Sequence, residues 1–196
     1  MNRVKVSFVL AAVTLLLSCH SASPPADTTV YKKKPQPEIR IQELEKRIHA
    51  LINMERKKSG LSQFGWDDGL SRIARKHSSD MAKRKYFDHV SPDGHDFVFR
   101  YKESGYTCAI PIHAERKIFI GAENILLNYL YDTVTTVNGV PYYDWNSQEK
   151  IAESTVRGWM NSPGHRKNIL TPTIMNEGIG VVISPDDKVY ITQNFC

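Results

Sequence analysis

Apolar residues recur at helical spacing through the first half of the chain beyond residue 39. From residue 41 to 52 they form a single stripe, and Ser59-Gly60 supplies a helix stop. A second helix is predicted to begin near Asp67 or Asp68 as its N-cap, with an apolar stripe from Leu70 to Met81. The stripe includes His77, a position typical of a buried core histidine. Phe97 to Ser104 predicts a short third helix. This half of the chain is therefore predicted to be helical.

The second half of the chain predicts strands. Gly178–Ile183 and Lys188–Phe195 form an antiparallel pair around a Ser-Pro-Asp-Asp turn, and Asn138-Gly139 between valines is a strong hairpin signal. Residues 118–125 predict a short strand that runs into a polar turn at Glu123-Asn124. Helices first and strands last, without regular βαβ alternation, predict an α+β layered domain.

One stretch, from Val156 to Leu170, predicts two helices that meet at Ser162-Pro163. If Ser162 is the N-cap of the second helix, His165 lies in its first turn, where free N–H groups and the helix dipole disfavour an imidazolium ion. A neutral imidazole can ligate a metal or accept a hydrogen bond. The alternative is that His165 only packs against Trp159.

Composition and net charge give no indication of a nucleic-acid partner. The chain has 196 residues, 41% of them hydrophobic, and a formal net charge of +5. That is one ordinary domain plus extra segments. Removal of residues 1–18 takes away Arg3 and Lys5 and leaves +3, too mild an excess to indicate nucleic acid. Part of the remaining excess, Lys32 to Lys34, favours anionic lipid.

The N-terminus reads as an export signal. A basic start precedes an apolar run from Val6 to Leu17 that is too short to span a bilayer. Leu16 to Cys19 resembles a bacterial lipoprotein cleavage box, in which the cysteine becomes the lipidated first residue. The alternative is an ordinary secretory signal with a stray cysteine. We expect residues 1–18 to be the signal peptide, 19–38 a lipidated cysteine and flexible tether, and 39–196 the folded domain.

Six motifs in order resemble the bacterial branch of the CAP superfamily, which includes cysteine-rich secretory proteins, antigen 5 and plant pathogenesis-related proteins. They are H-S-S-D-M (His77 to Met81), Y-F-D-H-V-S-P-D-G (Tyr86 to Gly94), G-A-E-N-I (Gly121 to Ile125), W-M-N-S-P-G-H-R-K-N-I-L (Trp159 to Leu170), E-G-I-G-V and Y-I-T-Q-N-F. The resemblance implies a three-layer α-β-α sandwich with a small antiparallel sheet. It also implies a cleft in which two histidines and two acids face each other.

The resemblance assigns residues to that cleft by motif position. His89, Glu123 and His165 match the first histidine, the first acid and the second histidine. The second acid normally stands three residues after the tryptophan, where this chain has Ser162. A Ser-Pro-Asp-Gly turn just after His89 suits a type I turn and would hold that histidine in place.

The cleft residues predict metal binding and leave two function classes open. Two imidazoles and a carboxylate suffice for an open zinc position, so His89 and His165 are expected to share a divalent metal. With a metal-bound water the same cleft would be a hydrolase or protease, for which His89, Glu123 and His165 are the candidate catalytic residues. The sequence contains no contiguous zinc-enzyme signature and no G-x-S-x-G elbow. The incomplete acid set favours binding of a lipid, sterol, small ligand or protein partner; an envelope structural role is a third possibility.

Two further features concern the exported part. Cys108 and Cys196 are an even pair in an oxidising compartment, so a disulfide is the default, and the alternative makes Cys108 a nucleophile with His113.

The segment from Leu126 to Gln148 is rich in Tyr and Trp and longer than usual for the family. Its rings either form a binding or lipid-facing surface or only pack the hairpin onto the domain. We expect an envelope protein, lipid-anchored to a bacterial membrane and facing the periplasm or the exterior.

Overall fold

The computed structural model describes residues 33–112 and 117–196. The predicted export signal, the lipidated Cys19 and His113 lie outside the described residues, and those predictions stay predictions. The elements are α1 (Ile41–Lys58), β1 (Gly65–Trp66), α2 (Asp68–Arg84), α3 (Phe97–Glu103), β2 (Ile110–Ile112), β3 (Lys117–Phe119), β4 (Ala122–Tyr129), β5 (Tyr131–Val137), β6 (Val140–Trp145), α4 (Gln148–Asn161), α5 (Pro163–Ile169), β7 (Asn176–Ile183) and β8 (Lys188–Phe195). Within the two described ranges, no helix combines the length and the apolar character needed to cross a bilayer.

A four-stranded sheet in the order β1-β7-β8-β4 forms the middle layer. The contacts of β7 show the layering, because its side chains alternate between the two faces. Ile179 and Val181 join the main core with α1 and α4, whereas Gly178 and Gly180 lie against α2. The predicted α+β sandwich, with helices on both faces of a small sheet, is confirmed.

The two glycines of the E-G-I-G motif allow α2 to lie directly on the sheet. A Cβ atom on Gly178 would lie 2.1 Å from the backbone nitrogen of Ser71, and one on Gly180 would lie 2.0 Å from that of Arg75. The Ser71 hydroxyl donates to the carbonyl of Ile179 at 2.7 Å. Such close packing of α2 determines where the chain leaves this helix and enters the loop that holds His89.

Most predicted elements are confirmed. The side chain of Asp67 caps α2 by accepting from the Leu70 amide at 2.9 Å, and α3 ends within a residue of its predicted limit. The Asn138-Gly139 turn joins β5 to β6, with both residues at positive φ. Cys108 and Cys196 form the predicted disulfide.

The predicted polar turn at Glu123-Asn124 is wrong. Both residues lie in β4, which pairs with β8 so that Glu123 is opposite Asn194 and Asn124 is opposite Gln193. The chain bends two residues before Glu123, at Gly121, whose φ of 108° suits glycine. Local polarity suggested a turn, but a distant strand and buried hydrogen-bond partners satisfy these polar groups inside the sheet.

Candidate functional site

Three elements bring the predicted cleft residues together. His89 lies in the bend between α2 and α3, Glu123 near the start of β4, and His165 in the first turn of α5. The His89 Nδ1 atom lies 2.9 Å from Glu123 Oε1, and the centroids of the His89 and His165 rings are 6.3 Å apart. The two histidine rings therefore lie close together, and one of them, His89, contacts the Glu123 carboxylate.

The Glu123 carboxylate is buried and fully engaged. Oε1 contacts His89, and Oε2 accepts from the Arg100 Nη2 atom at 2.7 Å. With the Asn194 amide oriented to satisfy both of its ends, that side chain also donates to Oε2, at 3.1 Å. These donors hold the carboxylate facing inward. Glu123 therefore orients His89 and fixes its Nδ1 as the protonated nitrogen, which leaves Nε2 for other partners.

Arg100 is the cleft residue that sequence reasoning missed. Its guanidinium also donates to the carbonyls of His89 at 3.0 Å and His95 at 2.8 Å, so it ties the loop before α3 to the carboxylate. Nε of Arg100 has no hydrogen-bond partner among the described residues. Arg100 stands three residues after Phe97 and directly before Tyr101, near the buried stripe of α3. This spacing is the sequence feature that could have indicated that Arg100 is buried.

His77 is a buried core histidine, as predicted, and it also borders the site. Its Nε2–H donates to the Asp88 carbonyl at 3.1 Å, and the same nitrogen lies 3.8 Å from Glu123 Oε1. Burial lowers the pKa of His77, with the charge of Arg100 acting in the same direction and that of Glu123 opposing it. A neutral His77 thus stabilises the Asp88-His89 bend through its hydrogen bond to the Asp88 carbonyl.

His165 is held by a polar network that joins α5 to β4. Its carbonyl accepts from the Asn124 side chain at 3.2 Å, and Asn168 donates to the Asn124 Oδ1 atom at 2.9 Å. Burial, and secondly the proximity of His89, lowers the pKa of His165. The imidazole is therefore kept neutral, the form that can bind a metal ion.

Ser162, at the position of the second acid, lies at the junction of α4 and α5. Its backbone carbonyl accepts from the Arg166 amide at 2.9 Å, which begins α5 as predicted, but its side chain makes no cap hydrogen bond. A serine hydroxyl is neutral at any working pH, so it cannot replace a carboxylate as a proton acceptor.

A cleft of about 830 Å³ lies beside His89 and Glu123. Its lining combines aromatic and apolar groups with amide, hydroxyl and charged groups: Val90, Asp96, Phe97, Phe119, Gly121, Ala122, Lys167, Asn168, Thr171 and Thr173. Asp96 accepts from the Phe99 amide at 2.9 Å as the cap of α3. A cleft of this size and mixed polarity suits a ligand larger than a single ion.

The donors at the cleft fit a divalent metal only in part. Two neighbouring imidazoles are good ligands, and the Glu123–His89 contact is the kind of support that metal-binding histidines receive. Among residues 33–112 and 117–196, however, no group of three or more His, Cys, Asp or Glu side chains is placed to hold a metal. Glu123 supports a ligand instead of adding a third one.

Comparison with known proteins finds one family model and two similar proteins from Bacillus subtilis. The sequence model of one protein family, described as CAP, cysteine-rich secretory protein family, matches residues 49–195. The Bacillus subtilis protein YkwD is 33% identical over 147 residues, which are 71% of this chain and 43% of YkwD. The B. subtilis membrane protein YlbC is 33% identical over 151 residues, 77% of this chain and 34% of YlbC.

A solved structure adds the fold of a bacterial relative. An extracellular protein containing an SCP domain from Bacillus anthracis superposes with a TM-score of 0.56 at 25% identity, over 79% of this chain and 40% of that one. This chain spans less than half the length of each of the three proteins. The likeness therefore concerns one domain of those larger molecules.

Proposed function

This chain belongs to the cysteine-rich secretory protein (CAP) family, and we propose that it is a binding module of the bacterial cell envelope whose cleft captures a ligand without cutting it. The observation that carries the proposal is the state of Glu123. A hydrolase needs a group that takes the proton of an attacking water. Glu123 is 5% exposed, and its oxygens already bond His89, Arg100 and Asn194.

Other groups at the cleft support the same conclusion. Ser162 stands where the family resemblance implies a second acid, and Asp96, the other acid of the cleft lining, caps α3. The remaining lining offers apolar contacts from Phe97 and Phe119, together with polar contacts from Lys167 and Asn168. These groups can hold and orient a ligand, which is the task of a binding module.

The same proposal includes a divalent-metal position at His89 and His165. Nε2 of His89 and the neutral ring of His165 would be the two protein ligands, with Glu123 supporting the first. When bound, an ion such as zinc would supply a Lewis-acid contact for an oxygen of the ligand. With two protein ligands the affinity is expected to be lower than that of a site with three or four.

Titration with zinc tests the pair. Replacement of His89 by alanine, or of His165 by alanine, should weaken zinc binding by at least about tenfold, because each removes one of two protein donors. Isothermal titration of protein purified without chelator or nickel resin measures this. His95→Ala is a matched control, since that ring stacks on Phe99 with centroids 3.6 Å apart. Unchanged affinity in either cleft variant would rule out a shared site.

Turnover assays distinguish binding from cutting. The wild type and His165→Ala should show the same background with peptide, ester and polysaccharide libraries. A positioned general base typically contributes about 10²- to 10⁴-fold, so a true hydrolase would lose activity clearly in such a variant. Turnover by the wild type that disappears in both His165→Ala and Glu123→Gln would overturn the binding proposal and establish the metal-dependent hydrolase.

For localisation, we propose that the domain is exported and anchored by a lipid on Cys19. Support comes from the apolar run and cleavage box at the N-terminus. Two relatives add to it, since one is described as extracellular and another as a membrane protein. The anchor would hold the domain at a membrane, whereas the cleft would bind the ligand.

A further inference from the structure

The β5–β6 hairpin has one aromatic face. Cross-strand partners share a face, and the pairs Tyr131–Trp145 and Val134–Tyr143 lie next to each other on it. The Tyr143 and Trp145 rings stack with centroids 4.6 Å apart, and Tyr131 meets them edge-on at 5.1 and 5.9 Å. Val134, in the same face, is 41% exposed. We call these four residues the aromatic face.

The hairpin is a separate two-stranded sheet rather than an extension of the main sheet. Most side chains of β5 are exposed, whereas the Tyr131, Tyr143 and Trp145 rings are half-buried and Trp145 also packs against the main core. This support matters because an isolated hairpin is only marginally stable. Its two acidic residues form exposed ion pairs, Asp144 with Lys34 at 3.4 Å and Asp132 with Lys150. Val134 and the uncovered edges of the half-buried rings are therefore what this face offers to a partner.

The N-terminal segment runs past this hairpin. The Trp145 Nε1–H donates to the Lys34 carbonyl at 3.1 Å, so the chain crosses the base of the aromatic face just before α1. Thirteen residues lie between Cys19 and Lys33, and the 14 Cα-to-Cα steps span at most roughly 50 Å. Of the described elements, the hairpin is in direct contact with the start of the tethered domain.

We propose that the aromatic face rests in the headgroup region of the membrane that carries the lipid on Cys19. The inference builds on the proposed lipid anchor and goes beyond it, because it assigns a membrane-contacting surface to the folded domain. Tyr and Trp rings are amphipathic and concentrate at membrane–water interfaces. The chain at Lys34 lies beside them, and because the Lys34 ammonium pairs with Asp144, it is the preceding Lys33 whose charge favours anionic headgroups.

This contact also orients the cleft. Helix α4 begins three residues after Trp145 and runs 14 residues, about 21 Å, to the junction with α5 and His165. Strand β4 runs from Glu123 to Tyr129, about 20 Å, between the same two ends. Both elements place the cleft at the end of the domain remote from the hairpin. A docked hairpin therefore presents the cleft away from the bilayer.

A depth-sensitive label tests the contact. Residues 19–196 with Cys19→Ser and an N-terminal hexahistidine attach to nickel-chelating lipid in phosphatidylcholine–phosphatidylglycerol vesicles, and the unit from Lys32 onward is compact by itself. A fluorophore on Val134→Cys should be quenched at least about twofold by shallow nitroxide lipids. The same fluorophore on Lys57→Cys, exposed and about 24 Å along α1 from Ile41, should not be quenched.

Several quenching results would contradict the docked hairpin. Equal quenching at the two positions, or none at Val134→Cys while the protein is on the vesicle, would overturn the docked hairpin. A blue shift at Val134→Cys without quenching would assign the face to a second copy or another protein and would overturn the proposal as well. The anchor is tested separately: Cys19→Ala in cells should release a soluble form, and unchanged detergent partitioning would contradict the anchor without affecting the vesicle result.

Discussion

Replacement of Arg100 by methionine should lower the free energy of unfolding by about 3–5 kcal/mol, because it leaves the Glu123 carboxylate buried without its cationic partner. It also removes the donors to the His89 and His95 carbonyls, so the loop that carries His89 should loosen. Urea denaturation followed by circular dichroism measures the loss. Zinc affinity at the His89–His165 pair should fall in the same variant.

A double-mutant cycle separates charge from packing. Glu123→Gln in the Arg100→Met background removes the stranded charge, so the double variant should be more stable than Arg100→Met alone. Arg84→Met is the matched control, because Arg84 pairs with Asp93 at the exposed surface and solvent screens that pair. A cost for Arg100→Met below about 1 kcal/mol would show that the buried pair contributes no more than an exposed one.

Removal of the disulfide is the second large change. The Cys108–Cys196 bridge spans a sequence separation of 88 residues, and on the chain-entropy model such a loop contributes about 4–5 kcal/mol. The double variant Cys108→Ala/Cys196→Ala should lose stability of this order. The last residue should also become mobile, although its backbone N–H still donates to the Asn176 carbonyl at 2.9 Å.

Reducing agent provides the control for this prediction. Dithiothreitol should lower the denaturation midpoint of the wild type to that of the alanine variant and leave the variant itself unchanged. Hydrogen exchange at positions 196 and 176 should accelerate both in the reduced wild type and in the alanine variant. Two free thiols on alkylation of non-reduced protein, or equal midpoints before and after reduction, would contradict a structural disulfide.

Local patterns were enough for the helices and for the terminal strands. The stripe of α2, its Asp67 cap and the Asn138-Gly139 turn each depend on residues close together in the chain, where spacing and backbone preference act directly. The motif order identified the cleft residues His89 and His165 by resemblance. The structure then placed those two rings together.

The burial of Glu123 in a strand could not be predicted from the residues next to it in the chain. Taken with its neighbours, Glu123-Asn124 looks like a polar turn, yet these residues are buried because β8 supplies backbone partners and Arg100 and Gln193 supply side-chain partners. All three of those contacts cross more than 20 residues of sequence. Burial of a charge depends on such distant compensation, which no short window of sequence contains.

The sequence by itself determined the family, the helical stripes, the hairpin turn and the residue types of the cleft, because these depend on spacing, turn chemistry and motif order. Only the tertiary structure decided what those residues can do. It showed that Arg100 and Asn194 engage the Glu123 carboxylate, and that the aromatic face and the cleft lie at opposite ends of β4 and α4. The reason is physical: hydrogen-bond saturation and the relative placement of surfaces depend on the packing of elements distant in the chain.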